Sequence, residues 1–436
     1  MTIGVDISSL QGPHRMRGIG YTLINFINSL SADIKKQHEF VFYFYAGEEY
    51  EDPLAILNLE GISYEVRPLG QAKKITKTLP GKLHLLTRLL NQVISVSDVY
   101  RGDSRISDTS GLTVFLQTDQ SINLPRGSVK KVFIAYDLIP YVLEWDYLWN
   151  YRTARKHGLP LQAAIRCAGR RWMYIHKLRV NSNRADKILA ISNVTKIDYM
   201  QYVGVPENKI VTTPLGVNVP NVRAKEDIQM FRYLPSSWGY LRKPYVFDST
   251  PYILFVGGAD KRRRLDEVVT AFNHLRAQNF NLKLVLAGDS MKGPMNISTE
   301  ITQHAFNDSS YINDVIFLGF VDDMQRDWLY KNALAFIFPS RYEGFGLPVL
   351  EAFTYGCPVI SYVNQATVEV AGSCPYYVEG AAGIIKAVET ISHLSAHDRK
   401  LKAEKCIAKA EKFSWPQTSK DIIRELESVA SRELPK

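Results

Sequence analysis

The sequence is short of several things at once. Its 436 residues hold four cysteines, Cys167, Cys357, Cys374 and Cys406, and no two form a C-x-x-C pair. That spacing excludes zinc-ribbon and thioredoxin-like sites and points to ordinary packing thiols in a reducing compartment. No apolar run approaches the roughly 20 residues that a membrane-spanning helix needs. The N-terminus runs straight into a strand-like segment, Thr2–Ser8, without the basic and apolar regions of a secretory leader. The expected location is the cytoplasm, with peripheral attachment to the inner face of the cell membrane left open. No D-x-D string occurs, so a metal-bridged diphosphate is not expected, nor any other metal or cofactor. There is no G-x-G-x-x-G with an acid closing the next strand, which argues against a nicotinamide dehydrogenase, and no P-loop lysine.

What the chain does have is a basic excess, 53 Lys and Arg against 44 Asp and Glu, a formal net charge of +9. Such a balance fits a nucleotide diphosphate, an anionic lipid or a nucleic acid, and charge alone does not choose among them. Short runs rich in Val, Ile, Phe and Tyr recur in the first half. They predict strands over Phe40–Ala46, Ser63–Leu69, Thr113–Asp119, Lys130–Asp137, Lys187–Ser192 and Lys209–Leu215. Helical stretches such as Gly20–Leu30 and Asn193–Val203 lie between them. Alternation of this kind predicts a parallel sheet covered by helices on both faces. A Pro- and Ser-containing stretch follows, and the pattern restarts at Tyr252. Strands are predicted over Tyr252–Val256, Lys283–Ala287, Val315–Leu318, Ala335–Pro339 and Pro358–Tyr362. Helices are predicted over Arg264–Gln278, Ala381–Leu394 and Pro416–Ser431. The fold class expected is therefore α/β, two Rossmann-like doubly wound domains facing a central cleft. Their expected bounds are 1–220, with 416–436 a candidate to pack back on it, a linker over 221–250, and 251–415.

The most informative string is Phe338-Pro-Ser-Arg-Tyr-Glu-Gly-Phe-Gly-Leu-Pro-Val-Leu-Glu-Ala352. It reads as a strand, a glycine-containing loop and a helix with Pro348 in its first turn. A helix N-terminus offers free N–H groups and a partial positive charge, a seat for a diphosphate. Glu343 precedes that helix and Glu351 lies about one turn inside it. A second string, Phe255-Val-Gly-Gly-Ala-Asp-Lys-Arg-Arg-Arg-Leu265, puts four cations after a strand and a double glycine that includes Gly258. Fixed cations there would stabilise charge developing on a leaving diphosphate. A third, Gln11–Tyr21, contains Arg15, Arg17, Gly18 and Gly20 between the first strand and first helix. A fourth, Tyr136-Asp-Leu-Ile-Pro140, places Asp137 at a strand's carboxyl end. Blander accounts exist for each: a helix cap with a surface carboxylate, a solvated charge run, a mobile glycine turn and an N-cap.

These strings resemble the retaining GT-B glycosyltransferases of family 4 (group 1), including bacterial polysaccharide mannosyltransferases of O-antigen and capsule assembly. Glu343 and Glu351 with Gly344, Gly346 and Pro348 look like that family's E-x7-E signature. The resemblance implies that Glu351 accepts hydrogen bonds from the donor ribose and that Glu343 lies against the donor sugar. Phe345 and Leu347 would sit in the same donor-binding loop. Arg262 falls on the family's Arg and Arg263 on its Lys, while Arg264 stands where Asn is common. A guanidinium fork is not a point charge, so the phosphate geometry is expected to differ. Gly18 and Gly20 are similar to the first glycine-rich loop. Asp137 is a candidate to orient the acceptor hydroxyl or the donor sugar, beside a Tyr136 that replaces a common His. The stretch Asn364–Gly372 is similar to a donor-sugar loop of the family. The catalytic candidates are thus Glu343, Arg262, Arg263 and Asp137. The donor would be a nucleotide-diphosphate sugar, GDP-mannose foremost, with UDP- and dTDP-sugars open. The acceptor would be a glycan, with a polyprenol-linked one open. Residues 72–97 hold Lys73, Lys74, Lys77, Lys82 and Arg88 and no acid, a basic amphipathic segment suited to an anionic membrane. An epimerase or hydrolase of the same fold is one alternative. A basic nucleic-acid-binding protein is another, although no helix-turn-helix or RNP-like string is present.

Overall fold

The computed structural model describes all residues except 13–14, 16–17, 48, 71–99, 219–229, 232–244, 292–304, 307–308 and 432–436. The basic segment at 72–97 and most of the stretch at 221–250 lie outside the described residues. The chain divides into two compact units, Met1–Gly216 with Trp415–Lys436, and Val217–Ser414.

The first unit is built on seven parallel strands: β1 (Thr2–Asp6), β2 (Glu39–Phe44), β3 (Ser63–Pro68), β4 (Val114–Gln117), β5 (Lys130–Ala135), β6 (Lys187–Ala190) and β7 (Ile210–Thr212). Their order is β3-β2-β1-β4-β5-β6-β7, so the direction of strand addition reverses between β1 and β4. The strands stop earlier than their apolar runs suggest. At Ala135, for example, the ladder with β6 ends, and the Tyr136 N–H turns to the Gln120 side chain at 2.7 Å. The closing helix Trp415–Ala430 belongs to this unit. Trp415 meets the Tyr21 ring edge-on at 5.9 Å, and the Ser419 hydroxyl donates to the Phe26 carbonyl at 2.9 Å. Ile422, Ile423, Leu426 and Val429 are buried beneath it. Each such side chain contributes about 1.5–3 kcal/mol of burial.

The second unit opens on an antiparallel pair, β8 (Met230–Phe231) and β9 (Tyr245–Val246), within the stretch read from sequence as a linker. Its main sheet has six parallel strands: β10 (Tyr252–Val256), β11 (Lys283–Ala287), β12 (Val315–Gly319), β13 (Ala335–Phe338), β14 (Val359–Tyr362) and β15 (Tyr376–Val378). The order is β12-β11-β10-β13-β14-β15, with the reversal between β10 and β13. Ile253, Leu254 and Phe255 are all buried, the continuous apolar run expected of a strand covered on both faces. The helices Leu265–Ala277 and Gly380–Ser392 share one core with it through Val268, Val269 and Phe272 and through Ile384, Val388 and Ile391. One expectation fails locally. The stretch Asn364–Gly372 is not a loop but a helix, Gln365–Ala371, because the Asn364 side chain accepts from the Thr367 N–H and caps it.

Candidate donor site at the switch point of the second sheet

In a doubly wound sheet, the strands on either side of the reversal send their following loops in opposite directions and leave a crevice at their carboxyl ends. In the second unit those strands are β10 and β13. The loops that follow them are Gly257–Arg264 and Pro339–Gly346, the two strings singled out by sequence. The Arg341 N–H donates to the Arg262 carbonyl at 3.0 Å and ties one loop to the other.

Three charged side chains converge there. Arg262 Nη2 lies 3.3 Å from the Glu343 carboxylate, and Arg263 Nε lies 3.4 Å from it. Arg262 also reaches Asp260 at 2.7 Å. The Ser340 hydroxyl donates to Glu343 at 2.8 Å, and the Asn364 amide holds the Ser340 carbonyl at 2.9 Å. Glu343 is buried. Burial alone would raise its carboxyl pKa. The two guanidinium groups and the Ser340 hydroxyl outweigh burial and hold it below the usual carboxylate range. Burial lowers the Arg263 pKa, with Glu343 opposing and Arg262 adding to the shift. An arginine stays charged throughout. The arrangement therefore presents two fixed cations and a carboxylate that stays ionised.

Glycine makes this possible at one position in particular. Gly257 has φ +126°, and a Cβ there would clash with the Arg263 guanidinium. Arg263 thus crosses the space that a side chain would fill. Gly258, the glycine chosen from sequence, has room: its Cβ would meet only the Ser290 hydroxyl, at 3.8 Å. Gly346, at φ +103°, is the N-cap of the helix Leu347–Thr354, whose first turn contains Pro348. Gly344 is buried in the loop before it.

The four consecutive cations do not act together. Lys261 is exposed. Arg264 turns away to Glu267, its Nε donating at 2.6 Å, and to Asp266 at 3.5 Å. Arg264 caps the helix Leu265–Ala277 in a left-handed conformation, φ +42° and ψ +44°. Asn tolerates that conformation better than Arg does.

Glu351 belongs to a different set of contacts. Tyr330 Oη donates to it at 3.4 Å, and Arg326 Nε lies 3.8 Å away. Both partners come from the helix Asp323–Asn332 and were missed from sequence. The signal was present: Asp322 and Gln325 form a capping box that starts this helix and puts Arg326 and Tyr330 four residues apart on one face. Phe345 lies in the Pro339–Gly346 loop, and its ring is buried against Phe413, centroids 5.8 Å apart. Leu347 is the first residue of the helix and half-buried.

The remaining candidates lie in the first unit. Gly18 opens the helix Gly18–Asn28, and a Cβ there would meet nothing within 4 Å. Gly20 is the third residue of that helix and is buried. Arg15 pairs with Glu51, and Arg17 lies outside the described residues. Asp137 is half-buried and accepts from the Ile139 N–H at 2.9 Å, a local turn at the end of β5. Tyr136 is buried, and burial pushes its phenol well above the ordinary value. Among the described residues no cluster of His, Cys, Asp or Glu could hold a metal ion, and no helix is long and apolar enough to cross a membrane.

Residues 240–413 match the family model of the glycosyl transferases, group 1. O-antigen chain mannosyltransferase B of Escherichia coli is 25% identical over 261 residues, 57% of this chain and 63% of that protein. The serotype-specific mannosyltransferase WbdA of Escherichia coli is 26% identical over 306 residues, 69% of this chain and 34% of that one. The chain thus matches about a third to under two thirds of these relatives' own length. The crystal structure of Anabaena Alr3699/HepE in complex with UDP and glucose superposes with a TM-score of 0.59 at 13% identity, covering 98% of this chain and 99% of that one. The architecture is the GT-B fold.

Proposed function

We propose that this chain is a retaining glycosyltransferase. It moves a hexosyl residue, mannosyl foremost, from a nucleotide-diphosphate sugar to a hydroxyl of a glycan in surface-polysaccharide assembly. The observation that carries this reading is the convergence of Arg262 and Arg263 on Glu343 at the switch point of the second sheet. The two guanidinium groups face a diphosphate whose negative charge grows as the glycosidic bond breaks. Their contribution rises toward the transition state, which is what accelerates a reaction. Glu343 holds both arginines in place and lies against the donor sugar. Glu351 takes the ribose hydroxyls in exchange for its contacts to Tyr330 and Arg326. The helix N-terminus at Leu347 adds backbone donors.

The bond from the sugar C1 to the phosphate oxygen breaks, and the bond from C1 to the acceptor oxygen forms on the same face. The departing phosphate takes the acceptor proton, so no side-chain nucleophile is required, and the protein positions and stabilises charge. A metal-independent reaction follows from this assignment, since the arginines take the place of a cation. Two relatives are named as mannosyltransferases, which favours a mannosyl donor. One structural neighbour holds UDP, which keeps uridine donors in the test. A polyprenol-linked glycan is the acceptor we favour.

The test is a transfer assay with GDP-mannose and UDP-sugars, with and without EDTA, on a glycan acceptor, reading the anomeric configuration of the product by NMR. An α-linked product from an α-linked donor, unaffected by EDTA, is expected. Turnover without acceptor would instead assign an epimerase or hydrolase of the same fold. Salt-sensitive retention of nucleic acid, with no turnover, would favour the nucleic-acid reading.

A further inference from the structure

The second unit holds a cavity of about 820 Å³ that the donor site does not use. The donor loops follow the carboxyl ends of β10 and β13. The cavity lies at the other side of the sheet, where the strands begin. It is lined there by Tyr252, the first residue of β10, by Leu334 just before β13 and by Pro358 just before β14. The length of β10 puts roughly 17 Å between it and Gly257. Its size falls within the range of small-molecule sites.

Two helices turn one face to this cavity. The helix Ala396–Ala410 supplies Ala396, Arg399, Lys400 and Ala403, and the helix Asp323–Asn332 supplies Trp328, Lys331 and Asn332. Both sets follow the three- and four-residue spacing of a single helix face. The lining has three cations, Lys331, Arg399 and Lys400, and one acid, Asp248. That acid is neutralised locally: Lys283 Nζ lies 2.6 Å from it, and the Thr250 N–H donates to it at 2.9 Å. The cations are left without such a partner. Among the described residues Lys331 and Arg399 pair with no carboxylate, and Arg399 donates to the Ile391 carbonyl at 3.0 Å. Lys400 reaches Glu404 at 3.9 Å, with both side chains exposed. Phe247, Trp328 and Tyr355 bring aromatic rings. The Asn332 amide nitrogen donates to the Trp328 carbonyl at 2.9 Å, which leaves its oxygen as an acceptor. Cations suit a phosphate, rings suit an apolar C–H face, and the amide suits hydroxyls.

The cavity is also tied to Glu351. The helix that brings Trp328 and Lys331 to the cavity brings Arg326 and Tyr330 to Glu351. Tyr355 lines the cavity and caps the end of the helix that carries Glu351. The Tyr355 hydroxyl interacts with Asp327. Asp327 lies 3.7 Å from Arg326, and Arg326 lies 3.8 Å from Glu351. A ligand that shifts Trp328 or Tyr355 therefore bears on Glu351.

We propose that this cavity is an effector site for a hexose phosphate, and that its occupation changes the affinity of the donor crevice for nucleotide. Binding rests on the lining of the cavity alone. The effect on nucleotide rests on the reading of Glu351 as the ribose contact. Linkage makes that effect reciprocal.

The test is calorimetric titration of the full chain with mannose 6-phosphate, and of GDP and UDP with and without it. Mannose 6-phosphate should bind, inorganic phosphate should bind about tenfold more weakly, and neutral mannose should not bind. The double variant Lys331→Gln, Lys400→Gln should weaken mannose 6-phosphate about tenfold. Ala396→Trp should block it by filling the cavity. These positions are exposed, so nucleotide binding without mannose 6-phosphate should stay that of the unaltered chain. Arg262→Ala should leave mannose 6-phosphate binding unchanged. Saturating mannose 6-phosphate should change the nucleotide dissociation constant about fivefold or more. No binding, equal binding of inorganic phosphate or mannose, or full binding in either cavity variant would each overturn the proposal. So would loss of binding in Arg262→Ala, or a nucleotide affinity that mannose 6-phosphate leaves unchanged. Cavity-dependent binding of mannose 6-phosphate by a chain that takes neither GDP nor UDP would keep the site and overturn the donor reading, with the coupling that rests on it.

Discussion

The two sheets share a topology, yet their switch points are furnished in opposite ways. Between β10 and β13 the loops bring Arg262, Arg263, Asp260 and Glu343 together, so two fixed cations stand beside two carboxylates. Between β1 and β4 the corresponding ends hold a buried carboxylate and neutral donors. Asp6 accepts from the Ser8 N–H at 2.8 Å and from Gln117 at 3.0 Å, and Thr118 donates to its carbonyl at 2.7 Å. Burial raises the Asp6 carboxyl pKa. One switch point carries two guanidinium groups beside two carboxylates, and the other a buried carboxylate among neutral groups. The lesson is that a shared topology leaves the charge at its switch point to a few loop residues.

The sharpest way to break this comparison is to remove a cation from the second crevice. Arg262→Ala should lower kcat by roughly 100-fold or more, the scale seen when a transition-state donor is lost, with a smaller change in KM. A change confined to KM would reduce Arg262 to ground-state binding. Gly257→Ala should reproduce part of that loss by pushing Arg263 out of its place, with kcat down about tenfold or more. Gly258→Ala should be near neutral, since its Cβ has room. Equal effects at the two glycines would remove the steric argument.

Glu351→Ala should weaken nucleotide binding by about 1–3 kcal/mol, measured by calorimetry. Unchanged affinity would leave Glu351 as a partner of Tyr330 and Arg326 only. The two buried carboxylates should then separate by pH. The Glu343 carboxyl is lowered in the fold, so its contribution to stability is present above its unfolded value and lost as pH falls through the folded value. Glu343→Gln should therefore flatten the acid limb of the stability curve. The Asp6 carboxyl is raised, so stability is lost as pH climbs from the unfolded value through the folded one. Asp6→Asn should leave stability at neutral pH within about 1 kcal/mol or raise it, and leave nucleotide affinity unchanged.

Much of this was legible before the fold was known. The β10 and β11 runs, Tyr252–Val256 and Lys283–Ala287, match their strands residue for residue, because apolar runs bounded by Gly, Pro or Asn leave little choice of register. Arg262, Arg263 and Glu343 were legible because glycines and a helix start fixed their positions. The individual contacts were not. Nothing local shows that Arg264 turns to Glu267 rather than to the loop, since that depends on its left-handed backbone. Nor does the string around Phe345 reveal that its ring is spent on Phe413, 68 residues away. The helix Leu161–Arg184 was overlooked because its outer face is apolar where an ordinary surface helix is polar.

The central claim is that the second crevice holds the donor diphosphate through Arg262 and Arg263. The most direct measurement is a thermal-shift titration with GDP-, UDP-, dTDP- and ADP-sugars, with and without magnesium, on the unaltered chain, Arg262→Ala and Asp6→Asn. The account predicts a magnesium-independent shift with one nucleotide class, reduced in Arg262→Ala and kept in Asp6→Asn. A shift of full size in Arg262→Ala, or one abolished by Asp6→Asn alone, would contradict it.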